Sequence, residues 1–162
     1  GPLPIGLGQT ISQPYVVALT VEALALRGDE NVLDVGTGSG YAAAILSKLA
    51  KRVVTVERLC ALARSASVVL DRFANVEVHH ADGTLGWEPG APYDAIAVAA
   101  SAPAPPPSLL RQLALGGRMV LPFGDDDHQR LVKITRVAEG FVHHDLGAVR
   151  YVPLVGREGW PS

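Results

Sequence analysis

The stretch "NVLDVGTGSGYAAAIL", Asn31 to Leu46, restricts this chain more than any other. A short β-branched run passes straight into three glycines at alternate positions, Gly36, Gly38 and Gly40, and then into apolar residues at helical spacing. A buried strand, a glycine turn and a helix form the repeating unit of an open parallel sheet. In such sheets ligands bind beyond the carboxyl ends of the strands, near the first strand–helix turn. Glycines there tolerate positive φ and let a ligand approach the main chain. A turn that is merely tight would look the same, so the glycines alone leave both readings open.

The rest of the chain continues the alternation. The opening "GPLPIGLGQTISQP" is too rich in glycine and proline for a regular element. Pro14 to Leu26 predicts a helix, with proline tolerated in its first turn. "RVVTVE" predicts a second strand. A helix follows from Leu59 to Phe73, with Leu59, Leu62, Ala63, Ala66, Val69 and Leu70 on one face. "NVEVHH" and "YDAIAVAA" predict the third and fourth strands. "SLLRQLAL" predicts a helix stopped by Gly116 and Gly117, and "RMVLPF" a fifth strand. "QRLVKITRV" and "FVHHDLGAVRYVPLV" predict a β-hairpin or adjacent strands turning at "AEG". The expected fold is α/β: a mostly parallel sheet, helices on both faces, and an antiparallel carboxyl-terminal edge. A length of 162 residues fits one domain, 1–162.

Composition removes several function classes. A net charge of −2 without a basic block gives no general nucleic-acid affinity. No apolar run reaches bilayer-spanning length and no signal-peptide pattern opens the chain. Cys60 stands alone, so a disulfide frame is excluded and a cytoplasmic setting is the simple reading. The pairs His79–His80 and His143–His144 sit in predicted strands, where neighbours point to opposite faces, so no metal site is expected.

Two carboxylates narrow the ligand. The dinucleotide fingerprint needs a small residue three positions after Gly38, and Tyr41 stands there. A ligand without a pyrophosphate, such as an amino-acid-bearing nucleoside, suits the turn better. Glu57 ends the second strand, where a carboxylate can accept both ribose hydroxyls; a solvated strand-end glutamate is the bland alternative. Asp82 ends the third strand and could accept from an adenine amino group, with Gly83 leaving room for the ring; an Asp-Gly turn is its bland alternative. Glycines, a carboxylate and a carboxylate at three successive strand ends are the layout of S-adenosylmethionine-dependent methyltransferases.

Along nearly its whole length, Leu3 to Trp160, the chain resembles the protein-L-isoaspartate O-methyltransferase family. "LPIGLGQTISQP" resembles that family's signature loop, and "VLDVGTGSGY", "TVER", "ADGTLGW", "APYDAIAVAASAP", "LLRQLALGGRMVLPFG" and "VRYVPLVGREGW" follow in its order. The resemblance implies a Rossmann-like class I methyltransferase fold. It implies S-adenosylmethionine as cofactor, S-adenosylhomocysteine as product, and isoaspartyl-containing peptides or proteins as substrate for a monomeric enzyme. Residues 1–14 would then be the substrate and active-site loop. Gln9, Thr10, Ile11 and Ser12 would line the reaction centre and the cofactor, with Ser12 matching the family's active-site serine. Thr37 with Gly36, Gly38 and Gly40 would hold the methionine part, with Asp34 and Ser39 also at the cofactor. Glu57 with Arg58 would take the ribose, and Asp82 with Gly83 the adenine. Leu3, Pro4, Ile5 and Gly6 would grip the substrate main chain, with Val152 and Leu154 on the substrate side. Val155 stands where the family often has a cofactor-contacting threonine, so its contact would be apolar.

The family usually carries several dozen residues, largely helical, ahead of the "PLPIG" loop. This sequence begins at the loop, as a truncated product or a natural short form would. Two other functions remain open on the residues: a carboxyl methyltransferase for aspartate in a dedicated peptide, and a shortened, inactive chain that still binds the nucleoside.

Overall fold

The computed structural model describes residues 4–6, 9–10, 14–125 and 127–162. The glycine- and proline-rich opening, expected to be irregular, contains two short strands, β1 (Pro4–Gly6) and β2 (Gln9–Thr10), paired antiparallel. Two residues of backbone pairing need no run of β-formers, which is why the composition gave no sign of them.

The main sheet has seven strands. β3 (Asn31–Val35), β4 (Arg52–Glu57) and β5 (Val76–His80) step outward in one direction. The chain then returns to the other side of β3 with β6 (Tyr93–Val98) and β7 (Leu113–Asp125), all parallel. β8 (His128–Val137) and β9 (Gly140–Val149) close that edge as an antiparallel hairpin turning at Ala138–Glu139. The strand order β5-β4-β3-β6-β7-β8-β9 reverses between β3 and β6. A crevice opens where connections leave in opposite directions, so the carboxyl ends of β3 and β6 are where a ligand belongs.

Strand alternation builds two cores. Leu33, Val35, Val54, Val56, Ile96, Val98, Met119 and Leu121 share one face. α4 (Pro107–Gln112) packs there through Leu109. Val32, Val53, Ala95, Ala97 and Val120 share the other, beneath α1 (Pro14–Leu24), α2 (Tyr41–Ser47) and α3 (Cys60–Leu70). Both sheet faces are therefore covered, as central parallel strands require. α3 buries Leu62, Ala63, Ala66 and Leu70. Val69, expected on that face, is 51% exposed, because it falls off the arc that the other four define.

The helix expected over "SLLRQLAL" ends earlier than the glycines suggest. α4 stops at Gln112, and the buried Leu113 already pairs with Tyr93 in β7. The register then jumps to Ala95 opposite Arg118, so residues 114–117 face Asp94 alone. Gly116 takes φ +78° in this excursion, and a Cβ on Gly117 would lie 2.8 Å from the Ala114 carbonyl oxygen. These glycines let a strand bulge rather than stop a helix. α1 also ends earlier than expected: Ala25 has φ +51°, and Arg118 donates to the carbonyls of Leu24 and Ala25. The final "YVPLV" lies beyond β9 and meets the protein through single bridges, among them Ser101 with Pro153. Among the described residues no helix is long and apolar enough to cross a membrane.

Candidate active site

The glycine turn sits on the sheet's carboxyl edge. Gly36, Gly38 and Gly40 take φ of +92°, +52° and +92°, a region that costs any residue with a Cβ. The N–H groups of Gly36 and Thr37 both donate to the Val56 carbonyl, at 2.9 and 3.3 Å, which ties the turn to β4. Gly40 N–H donates to the Thr37 carbonyl at 2.9 Å and opens α2.

Glu57 holds this turn from the side. The residue is 7% exposed, and its Oε1 accepts the Gly38 N–H at 3.0 Å. Its Oε2 accepts the Leu59 N–H at 2.9 Å. The carboxylate thus binds the glycine turn to the start of α3 and still has lone pairs for a ligand. Gly36, Thr37, Gly38, Ser39, Glu57, Arg58 and Gly83 line one cleft, with Val17, Tyr41, Ala99 and Ala100 as further walls. Val152, Pro153, Leu154 and Val155 complete it, and about 840 Å³ within it is free of protein atoms, including space open to solvent. Among its described lining residues there is no histidine, cysteine or lysine.

Asp34, expected at the ligand, lies one layer behind the turn. Its Oδ2 accepts the Thr55 hydroxyl at 2.7 Å, and Thr55 Oγ1 lies 2.6 Å from Thr37 Oγ1. Burial pushes the Asp34 carboxyl up to about 7; the Thr55 hydrogen bond opposes this and the Glu57 charge adds to it.

Asp82 forms the turn that the sequence left open as its alternative. Its Oδ1 accepts the Thr84 N–H at 2.9 Å and the Thr84 hydroxyl at 2.7 Å, capping a short 3-10 turn, residues Gly83–Leu85. Its Oδ2 accepts the Arg157 N–H at 2.9 Å, and Thr84 Oγ1 accepts the Glu158 N–H at 3.0 Å. The Asp-Gly pair is therefore a capped turn that anchors the carboxyl-terminal segment, and Gly83 alone reaches the cleft wall. Asp82→Asn turns an amide N–H toward the Arg157 N–H. We expect it to lower unfolding free energy by about 1–2 kcal/mol in urea titration. An unchanged midpoint would mean that this anchor carries no net stability.

The anchored segment forms the far wall. Ser101 N–H donates to the Val152 carbonyl and Leu154 N–H to the Ser101 carbonyl, each at 2.8 Å. Trp160 Nε1 donates to the same Ser101 carbonyl at 2.9 Å. Val152 and Leu154, expected on the substrate side, line this same cleft, with Val155 beside them. Ala99 and Ala100 were not singled out in the sequence, although they follow β6 at the reversal of strand order, which is the signal that finds them. Leu3, Ile11 and Ser12 lie outside the described residues. Pro4, Ile5, Gly6, Gln9 and Thr10 are described only as backbone, with Pro4 opposite Thr10 and Gly6 opposite Gln9.

The histidines have separate partners. His79 stacks on Trp87 at 3.9 Å, and His80 Nε2 lies 3.0 Å from the Arg58 carbonyl. His143 and His144 are exposed on β9.

Comparisons with known proteins point one way. The family described as "Protein-L-isoaspartate(D-aspartate) O-methyltransferase" matches residues 1–159. The chain is 56% identical to protein-L-isoaspartate O-methyltransferase 1 of Rhodopseudomonas palustris, over 99% of this chain and 67% of that protein. It is also 56% identical to protein-L-isoaspartate O-methyltransferase 2 of Marinobacter nauticus, over 99% of this chain and 75% of that protein. Among solved structures, a protein-L-isoaspartate O-methyltransferase superposes with a TM-score of 0.85 at 28% identity, over 93% of this chain and 50% of that one. A Plasmodium falciparum chain described as a beta-aspartate methyltransferase, in complex with S-adenosyl-L-homocysteine, superposes with a TM-score of 0.81 at 28% identity, over 95% of this chain and 79% of that one.

Proposed function

The chain belongs to the protein-L-isoaspartate O-methyltransferase family, and on that footing we propose that it transfers a methyl group from S-adenosylmethionine to the free carboxylate of L-isoaspartyl residues in damaged proteins or peptides. The observation that carries this reading is the cleft at the reversal of strand order, where a positive-φ glycine turn meets the buried carboxylate of Glu57.

The residues present fit the cofactor. Three glycines leave positions 36, 38 and 40 without a Cβ, so main chain can face a ligand beside the Thr37 and Ser39 side chains. Glu57 would offer its remaining lone pairs to the ribose hydroxyls, Gly83 on the cleft wall would flank the adenine, and Val155 would offer apolar contact. S-adenosylmethionine, when bound, supplies a methyl group made electrophilic by a sulfonium.

What remains is positioning. An isoaspartyl α-carboxylate is ionised at neutral pH, so no base is needed to make the nucleophile. Val152 and Leu154 on the substrate side exclude water from it. Holding carboxylate and methyl in line is worth roughly 7–11 kcal/mol. Ser12 and Thr10 are read as orienting that carboxylate, not attacking. In the product methyl ester the neighbouring amide nitrogen attacks the ester carbonyl and methanol leaves with the amide proton, which closes a succinimide without the enzyme. Hydrolysis then returns some normal aspartate.

We read residues 1–162 as one methyltransferase domain acting as a monomer. The cytoplasmic reading rests on Cys60, an exposed free thiol. Methyl transfer from labelled S-adenosylmethionine to an isoaspartyl peptide, beside its aspartyl twin, tests the function. We expect transfer to the first only. Transfer to the aspartyl twin favours a dedicated peptide substrate. Tight S-adenosylhomocysteine binding in calorimetry without transfer to either marks an inactive cofactor-binding chain.

A further inference from the structure

Behind the cleft, three buried side chains form a hydrogen-bonded file: Asp34 on β3, Thr55 on β4 and Thr37 in the glycine turn. A hydroxyl carries one proton. The Thr55 proton is committed to Asp34 Oδ2 at 2.7 Å, so the proton in the 2.6 Å contact between the threonines belongs to Thr37. Thr37 lines the cleft, and in this arrangement it has only lone pairs to offer a ligand.

We propose that Asp34, acting through Thr55, sets the polarity of Thr37 and so gates the cleft for the ammonium of the cofactor's amino-acid end. With Asp34 ionised, Thr37 accepts from that ammonium. When Asp34 takes up one proton from solvent, its O–H donates to Thr55, Thr55 donates to Thr37, and Thr37 turns its own proton toward the cation. Both hydroxyls reverse, no covalent bond changes, and affinity falls. The inference rests on the reading of the cleft as an S-adenosylmethionine site with its methionine part at the glycine turn.

The surroundings suit such a group. Burial holds the Asp34 proton up to about 7, far above the ordinary 3.8 of an aspartate. A small, mainly apolar cavity beside it is walled by residues such as Val17, Thr20, Ala42 and Ala97 from α1, α2 and β6, none of them titratable. Glu57 on β4 supplies the neighbouring charge. Tyr151, beyond β9, also lines the cavity; burial pushes its phenol up to about 12, so it stays neutral. His80 on β5 lies with its Nε2 3.0 Å from the carbonyl of Arg58, a residue of the cleft wall.

The experiment is calorimetric binding of S-adenosylhomocysteine and of 5′-methylthioadenosine, which lacks the ammonium, to the full chain between about pH 5.5 and 8.5. Asp34→Asn and Thr37→Ala run beside wild type, with a carbon-13 titration of the aspartate carboxyls. We expect S-adenosylhomocysteine affinity to fall by up to about tenfold per pH unit below 7, the slope of one linked proton. The nucleoside should show no such step, and both variants should lose it. The Asp34 carboxyl signal should titrate near 7 and move lower with ligand. A step that survives Asp34→Asn, as one from His80 would, overturns the proposal. So does the same step with methylthioadenosine, or a flat wild-type profile. Absence of S-adenosylhomocysteine binding at every pH instead removes the reading of the cleft itself, and this inference with it.

Discussion

Glu57→Ala is expected to raise the dissociation constant for S-adenosylhomocysteine by about 100-fold or more, equivalent to about 2.7 kcal/mol. Two main-chain donors, the N–H groups of Gly38 and Leu59, lose a charged acceptor at 3.0 and 2.9 Å. Hydrogen bonds to a charged group contribute about 1.5–3 kcal/mol each. Part of that loss falls on the fold and part on the turn that must be in place before a ligand enters. The ribose hydroxyls lose their acceptor as well. Glu57→Gln should fall between, near tenfold, because one amide oxygen can serve one donor while the NH₂ opposes the other. Glu77→Ala is the control: that carboxylate on the edge strand β5 is 47% exposed, pairs at 2.9 Å with Arg52 at the opposite end of β4 from Glu57, and should leave affinity unchanged. Binding by Glu57→Ala within about twofold of wild type would remove Glu57 from the site.

The parts of this site legible in the sequence are those set within a few residues. The glycine turn, its preceding strand and the helix after it announce themselves locally, and Glu57 follows from where β4 ends. What could not be read depends on partners far along the chain. Asp82 looked like a ligand acceptor or a turn, and the anchor it makes to the Arg157 N–H, 75 positions away, could not be read locally. Asp34 looked like a cofactor residue because of its place in the motif. Its real neighbour, Thr55, comes from β4, and only the parallel register of Asp34 with Thr55 brings them together. The early end of α4 is likewise decided across the sheet. Asp94 Oδ2 accepts the Asn31 N–H at 2.8 Å, and the chain opposite Asp94 loops out rather than pairing. Gly116 and Gly117 carry the same letters whether they stop a helix or permit that excursion.

Gly83 is where an account by ligand and an account by packing separate. The sequence suggests a glycine that leaves space for an adenine ring. In the structure a Cβ placed on Gly83 would lie 2.7 Å from Val35 Cγ1, closer than real Cβ contacts come. Val35 is buried at the end of β3, directly before Gly36, so it cannot yield without moving the turn. Gly83→Ala is therefore expected to lower unfolding free energy by about 1–3 kcal/mol, the usual cost of overpacking a core. Displacement of Val35 should also weaken S-adenosylhomocysteine binding by about tenfold. Val35→Ala opens the space that the new methyl needs, so the double variant should recover at least about 1 kcal/mol relative to the sum of the single changes. If glycine were there for the ring alone, Gly83→Ala would unfold at the wild-type midpoint and lose only affinity, and Val35→Ala would rescue nothing. Strict additivity in stability would thus dismiss the Val35 contact, whereas a positive coupling makes the tight approach of β3 and the β5 loop the reason that residue 83 has no side chain.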